Sequence, residues 1–127
     1  MVDLNEIYQS ADWKKEKHIP VIDIEKGDKQ VKIKLMVGKE IPHPNTTGHH
    51  IRWIDCYFRP EGEKFAVHVG RAEFAAHGAS TKGADTSTLF TKPAVSFVLN
   101  TEKSGTIIAT SYCNIHGLWQ NSAELKL

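Results

Sequence analysis

Gln30-Val31-Lys32-Ile33-Lys34-Leu35-Met36-Val37 sets Val31, Ile33, Leu35 and Val37 on one face of an extended segment, with Lys32, Lys34 and Met36 on the other. Successive side chains of a strand point to opposite faces, so this alternation marks a strand with one buried side. Val95, Phe97 and Leu99 repeat it. Period-two or continuously apolar runs occupy residues 21–25, 30–37, 51–58, 65–74, 93–101, 106–112 and 120–125. The chain is therefore expected to be all-β, a seven-stranded immunoglobulin-like antiparallel β-sandwich. Asp3 ahead of Leu4-Asn5-Glu6 reads as an N-cap with Glu at the third helical position, which adds a short N-terminal helix to about Tyr8.

The connections between these strands are of two kinds. Lys26-Gly27-Asp28-Lys29, Pro60-Glu61-Gly62-Glu63-Lys64 and Glu102-Lys103-Ser104-Gly105 are short, polar and glycine-containing. If consecutive strands run antiparallel, these turns share one end of the molecule. The longer connections, 38–50, 75–92 and 113–119, then share the other end with the segment leading into the first strand. His18, His43, His49, Cys113 and His116 all belong to this second set. A strand of six to eight residues separates the two ends by roughly 20 to 25 Å, so donors at opposite ends could not hold one ion.

The composition bounds the rest. The chain has 127 residues, 40% hydrophobic and 24% charged, which suits one domain spanning 1–127 that buries roughly two-thirds of its unfolded surface. A formal net charge of +1 offers no broad basic face for nucleic acid. No apolar run approaches the ~20 residues of a membrane span. Met1-Val2-Asp3-Leu4-Asn5-Glu6 lacks the form of a secretion signal, and a cytoplasmic location is expected. Cys56 in a strand and Cys113 in a loop are too few for a disulfide framework, and without a C-x-x-C there is no ribbon or rubredoxin-type site.

One thiolate with up to four imidazoles is rich in nitrogen for a tetrahedral zinc site and points to iron. In Cys113-Asn114-Ile115-His116-Gly117 the two donors can close a small chelate while backbone N–H groups approach the sulfur and tune the metal. Alone, that spacing also suits a buried cysteine beside an unrelated histidine. Pro42 and Pro44 hold His43 on a stiff extended segment. His49 and His50 are adjacent and expected to point different ways, so that one of the two can ligate. Glu16-Lys17-His18 supplies an acid, a base and an imidazole directly before the first strand.

Taken together, these motifs resemble superoxide reductase of the one-iron type, also called neelaredoxin. The resemblance runs from Trp13-Lys14-Lys15-Glu16-Lys17-His18-Ile19-Pro20 through the segment from Gly38 to Ile51, which holds Pro42-His43-Pro44-Asn45 and Gly48-His49-His50, to Ser111-Tyr112-Cys113-Asn114-Ile115-His116-Gly117-Leu118-Trp119. It implies a mononuclear iron held by His18, His43, His49 and His116, with Cys113 as axial thiolate. It also implies Glu16 as sixth ligand of the oxidised resting site and Lys17 as the residue that guides superoxide and helps deliver protons. No departure is visible at these positions. The implied reaction is one-electron reduction of superoxide to hydrogen peroxide without release of dioxygen. A rubredoxin-like electron donor and a homotetramer are implied as partners. The four-cysteine iron domain of two-iron relatives is missing, so a second iron centre is not expected.

The principal rival is an electron-transfer copper protein, since a β-sandwich with an upstream His and a late Cys-x-x-His loop approaches the blue-copper pattern. It lacks a late methionine, because only Met1 and Met36 occur. A structural zinc site on Cys113 and three histidines is a further alternative. Cys56 reads as a core thiol, His50, His68 and His77 as surface groups or neighbours of the site, and Trp13 and Trp119 as packing around it. The 75–92 loop, rich in small residues, is expected to order only in an oligomer.

Overall fold

A computed structural model describes residues 1–127. A short helix, α1 (Leu4–Ile7), precedes seven strands: β1 (Pro20–Lys26), β2 (Gln30–Val37), β3 (Ile51–Pro60), β4 (Val67–Glu73), β5 (Ala94–Asn100), β6 (Gly105–Cys113) and β7 (Gly117–Leu125). They form two sheets, ordered β1-β2-β5 and β4-β3-β6-β7, and every strand pair is antiparallel. The sandwich expected from the alternating pattern is thus the one observed. In α1, the Asp3 carboxylate accepts the backbone N–H of Asn5, the expected cap.

The core lies between the sheets. Val31, Ile33, Leu35 and Val37 of β2 are 0–2% exposed and face Ile54, Cys56 and Phe58 of β3 and Ile107 and Ala109 of β6 within one cluster. Burying a branched aliphatic or phenyl side chain contributes about 1.5–3 kcal/mol, so this face explains why the lysines of β2 turn outward. Gly70 in β4 lies under the Phe97 ring of β5, where any Cβ would collide with it. That close approach joins the edges of the two sheets.

Three register relationships build the far end of the sandwich. Pro20 pairs with Val37, so the lead-in to β1 and the start of the 38–50 connection are neighbours. Ile51 pairs with Cys113, which brings the residues just before β3 beside the end of β6. Cys113 pairs with Gly117 across the next turn.

That last pairing corrects two expectations. Cys113 is the final residue of β6 rather than a loop residue, and the connection to β7 is only Asn114-Ile115-His116. Gly117 takes a φ of +82°, a left-handed conformation that lets the chain reverse at once and β7 begin three residues earlier than its apolar pattern suggests. The 75–92 connection is also ordered within the single chain. A bridge joins His77 to Phe90, the Gly78 N–H donates to Leu89 O at 2.7 Å, and the Asn45 amide donates to Thr91 O at 2.9 Å.

Candidate metal centre

Each donor is delivered by a different local device. His18 stands two residues before β1, with its backbone carbonyl held by the Ser111 hydroxyl of β6 at 3.0 Å. His43 depends on Gly38, whose φ is +83° and where a Cβ would come within 2.7 Å of His43 N; the chain folds back here only because that atom is missing. His49 sits in a closed turn, with Thr46 N–H donating to His49 O at 3.0 Å and His49 N–H to Thr46 O at 3.2 Å. Cys113 and His116 flank the sharp reversal after β6.

The donor atoms of His18, His43, His49 and Cys113 all lie within 4.8 Å of one another. The structure brings His116 to the edge of this group: its Nδ1 is 3.1 Å from His18 Nε2 and 3.9 Å from Cys113 Sγ. Hydrogen-bond partners fix which ring nitrogen is bare. His43 Nδ1–H donates to Pro44 O at 2.7 Å, leaving Nε2 without a proton and 3.4 Å from Cys113 Sγ. His18 Nδ1 is held by the Glu16 carboxylate, which leaves its Nε2 aimed at the other donors.

The imidazoles of His18, His43 and His49 are held below the usual histidine range, which favours their neutral form. Burial, reinforced by the positive charge of Lys17 and by neighbouring imidazoles, lowers His49 and brings His43 down to about 4, and it lowers His18 as well against the opposing pull of the Glu16 carboxylate. Lys17 itself is half-buried. Glu16 is not among the clustered donors. Its Oε1 accepts from Lys17 N–H at 2.7 Å and His18 N–H at 2.8 Å as well as engaging the His18 ring. Burial alone would raise its carboxyl, but these hydrogen bonds hold it below the usual carboxylate range.

The fit to a metal rests on His49. Its Nε2 is buried with no hydrogen-bond partner, which would cost about 1–3 kcal/mol as a bare polar atom and would be satisfied by a metal bond. The sulfur is also prepared, since the His116 backbone N–H donates to Cys113 Sγ at 3.4 Å and draws density from it.

A family profile described as desulfoferrodoxin matches residues 10–122. The chain belongs to the desulfoferrodoxin family. It is 57% identical over 123 residues to the superoxide reductase of Pyrococcus furiosus, covering 97% of this chain and 99% of that one. It is 47% identical over 125 residues to the neelaredoxin of Megalodesulfovibrio gigas, covering 96% of each. The solved superoxide reductase (neelaredoxin) of Archaeoglobus fulgidus in the reduced form superposes with a TM-score of 0.91 at 58% identity, covering 95% of this chain and 99% of that one.

This membership leaves the copper expectation without support, and the geometry gives the reason. A blue-copper site needs two imidazoles, a thiolate and a weak axial ligand, whereas three imidazoles already crowd Cys113 here with His116 beside them, and Met1 is at the exposed N terminus. No helix in this desulfoferrodoxin chain is long and apolar enough to cross a membrane.

The structure gives the neighbours of the site their contacts, and one of them, Ser111, escaped the sequence reading. Trp119 stacks on His18 and also donates its indole N–H to His116 O at 3.3 Å. Ser111 occupies an inward position of β6 between Ala109 and Cys113, and a polar residue on a buried face is the signal that could have marked it. Of the two readings open for His50, surface group or neighbour of the site, the structure bears out the second: it is 8% exposed, donates from Nδ1 to Thr46 O at 2.9 Å and stacks on His77 with centroids 3.7 Å apart. His68 is instead paired with Asp55 at 3.0 Å, away from the donors. Cys56 is a fully buried core thiol, as its alternation suggests.

Proposed function

We propose that this chain, acting as one domain over 1–127, reduces superoxide to hydrogen peroxide at a mononuclear iron held by His18, His43, His49, His116 and Cys113. The observation that carries the reading is the convergence of bare imidazole nitrogens on Cys113 Sγ, with His49 Nε2 buried and unpartnered. Full-length similarity to proteins named superoxide reductase supports the substrate. Iron, rather than zinc, is favoured by a donor set of four nitrogens and one sulfur, which leaves a position for a small ligand.

When bound, the iron supplies the single electron that superoxide accepts. The protein's residues do the remainder. Lys17 gives a nearly neutral molecule a local positive field, which attracts the anion and can raise encounter rates by about 10 to 10³-fold. The same ammonium helps deliver protons, two of which join one superoxide and one electron to give one hydrogen peroxide. The His116 N–H holds electron density on Cys113 in check. Glu16 orients His18 through Nδ1. Its role as sixth ligand of the oxidised resting site requires its release from that contact.

The electron is returned by a small one-electron carrier of the rubredoxin kind, and a homotetramer and a cytoplasmic setting complete the proposal. Pulsed superoxide mixed with the reduced protein tests it, following iron oxidation and peroxide together. One peroxide per superoxide consumed, without dioxygen, is the expected yield. Half that yield with dioxygen release would mean dismutation instead.

A further inference from the structure

Asn114 lies between Cys113 and His116, and all three of its hydrogen bonds run to the residues on either side of His49. Its Oδ1 accepts the His50 N–H at 2.8 Å. Its Nδ2 donates to Gly48 O at 2.9 Å. Its backbone N–H donates to His50 O at 3.2 Å. The amide can be oriented only this way, since an N–H must meet oxygen and a carbonyl must meet the NH2 group.

We propose that Asn114 is a positioning residue that locks His49 to the Cys113–His116 turn, so that the donors of two separate segments form one rigid unit before metal arrives. The physical need is clear from His49 itself. Its backbone N–H and C=O bond only within its own turn, to Thr46, so nothing in His49 ties that turn to the sulfur. The Ile51–Cys113 register brings the segments side by side, yet β3 shifts register immediately afterwards, between Ile51 and Trp53. Asn114 supplies the missing tie on both flanks of His49.

Only a planar amide of this length offers the acceptor and the donor together. Aspartate keeps the acceptor for His50 N–H and loses the donor for Gly48 O. Alanine loses both and keeps only the backbone bond. The tie matters because His49 Nε2 is buried without a partner, and a small rotation of the 46–49 turn would swing that nitrogen off the shared centre.

This inference rests on the cluster being a metal site. Its test uses cobalt(II) as the probe on the full chain, with the parent protein, Asn114→Ala and Asn114→Asp compared. The readouts are the thiolate-to-cobalt absorption band, the ligand-field bands and the rate of cobalt release to excess chelator. Release is expected to quicken by about 10-fold or more in Asn114→Ala, with altered ligand-field bands, and by a smaller factor in Asn114→Asp. Release within twofold of the parent and unchanged bands in Asn114→Ala would overturn the proposal, even if the metal-free protein melted lower. Should Asn114→Ala not fold, Asn114→Asp decides on the same criteria. A parent protein without a thiolate-to-cobalt band would sink the metal reading itself, and this inference with it.

Discussion

The indole of Trp119 lies flat against the imidazole of His18, with centroids 4.9 Å apart and planes 12° from parallel, and it donates to the carbonyl of His116. One side chain thereby fixes the orientation of one imidazole and the backbone of another. Trp119→Ala removes a side chain only 8% exposed and is expected to cost about 3–5 kcal/mol in urea unfolding. Trp119→Phe keeps an aromatic face but not the N–H, so a loss nearer 1 kcal/mol is expected, with weaker metal retention on dialysis. Equal metal retention in Trp119→Phe and the parent would show that the hydrogen bond to His116 does not matter to the site.

Gly38 is the hinge on which His43 depends. Alanine there meets both a positive φ and His43 N at 2.7 Å, so Gly38→Ala should destabilise the protein by at least about 1 kcal/mol. Because the collision falls on the backbone of a donor residue, iron content should drop more than stability alone explains. Thermal melts and metal analysis of the same preparation separate the two effects.

Lys17 and Glu16 are adjacent, yet the proposed function gives them different jobs. Lys17→Ala should slow superoxide capture by about 10-fold or more at low ionic strength, and the gap to the parent should narrow as salt screens the field over a Debye length of roughly 8 Å. Its ferrous spectrum should stay nearly unchanged. Glu16→Ala should still react with superoxide while changing the oxidised spectrum, and it should hold iron less tightly because His18 Nδ1 loses its partner. Stopped-flow traces at two salt concentrations check the first expectation, and a spectrum of the oxidised variant checks the second.

Cys56 is a further, independent probe of the core. Burial pushes its thiol up to about 12, so it stays protonated at neutral pH. A folded-state value above the unfolded one means a contribution to stability that is fully present below about pH 9 and lost as pH rises toward about 12. The native protein at pH 8 should therefore resist alkylation at Cys56 and react only when unfolded. Cys56→Val should flatten part of the alkaline loss of stability, as read by denaturant midpoints across that range.

What could be read in the sequence, and what could not, follows from the range of each interaction. The alternation of Val31, Ile33, Leu35 and Val37 is a local signal of burial, and it was enough to place β2 and the sandwich. Placing the donors at one end needed only strand count and turn type. The reversal after Cys113 was hidden because it depends on the left-handed φ of Gly117, which suits a tight turn as well as a loose loop. Contacts such as Ser111 to His18, 93 residues apart, were out of reach, because a period-two pattern names a face but never a partner. Glu16 illustrates the same limit. Its proximity to His18 was plain, while its grip on Nδ1 could come only from coordinates.

Iron-edge X-ray absorption on the reduced, as-isolated protein measures the donor set itself. One iron per chain with four nitrogen neighbours and one sulfur, the sulfur disappearing in Cys113→Ser, is the expected result. Zinc in place of iron, or iron with no sulfur neighbour, would contradict it.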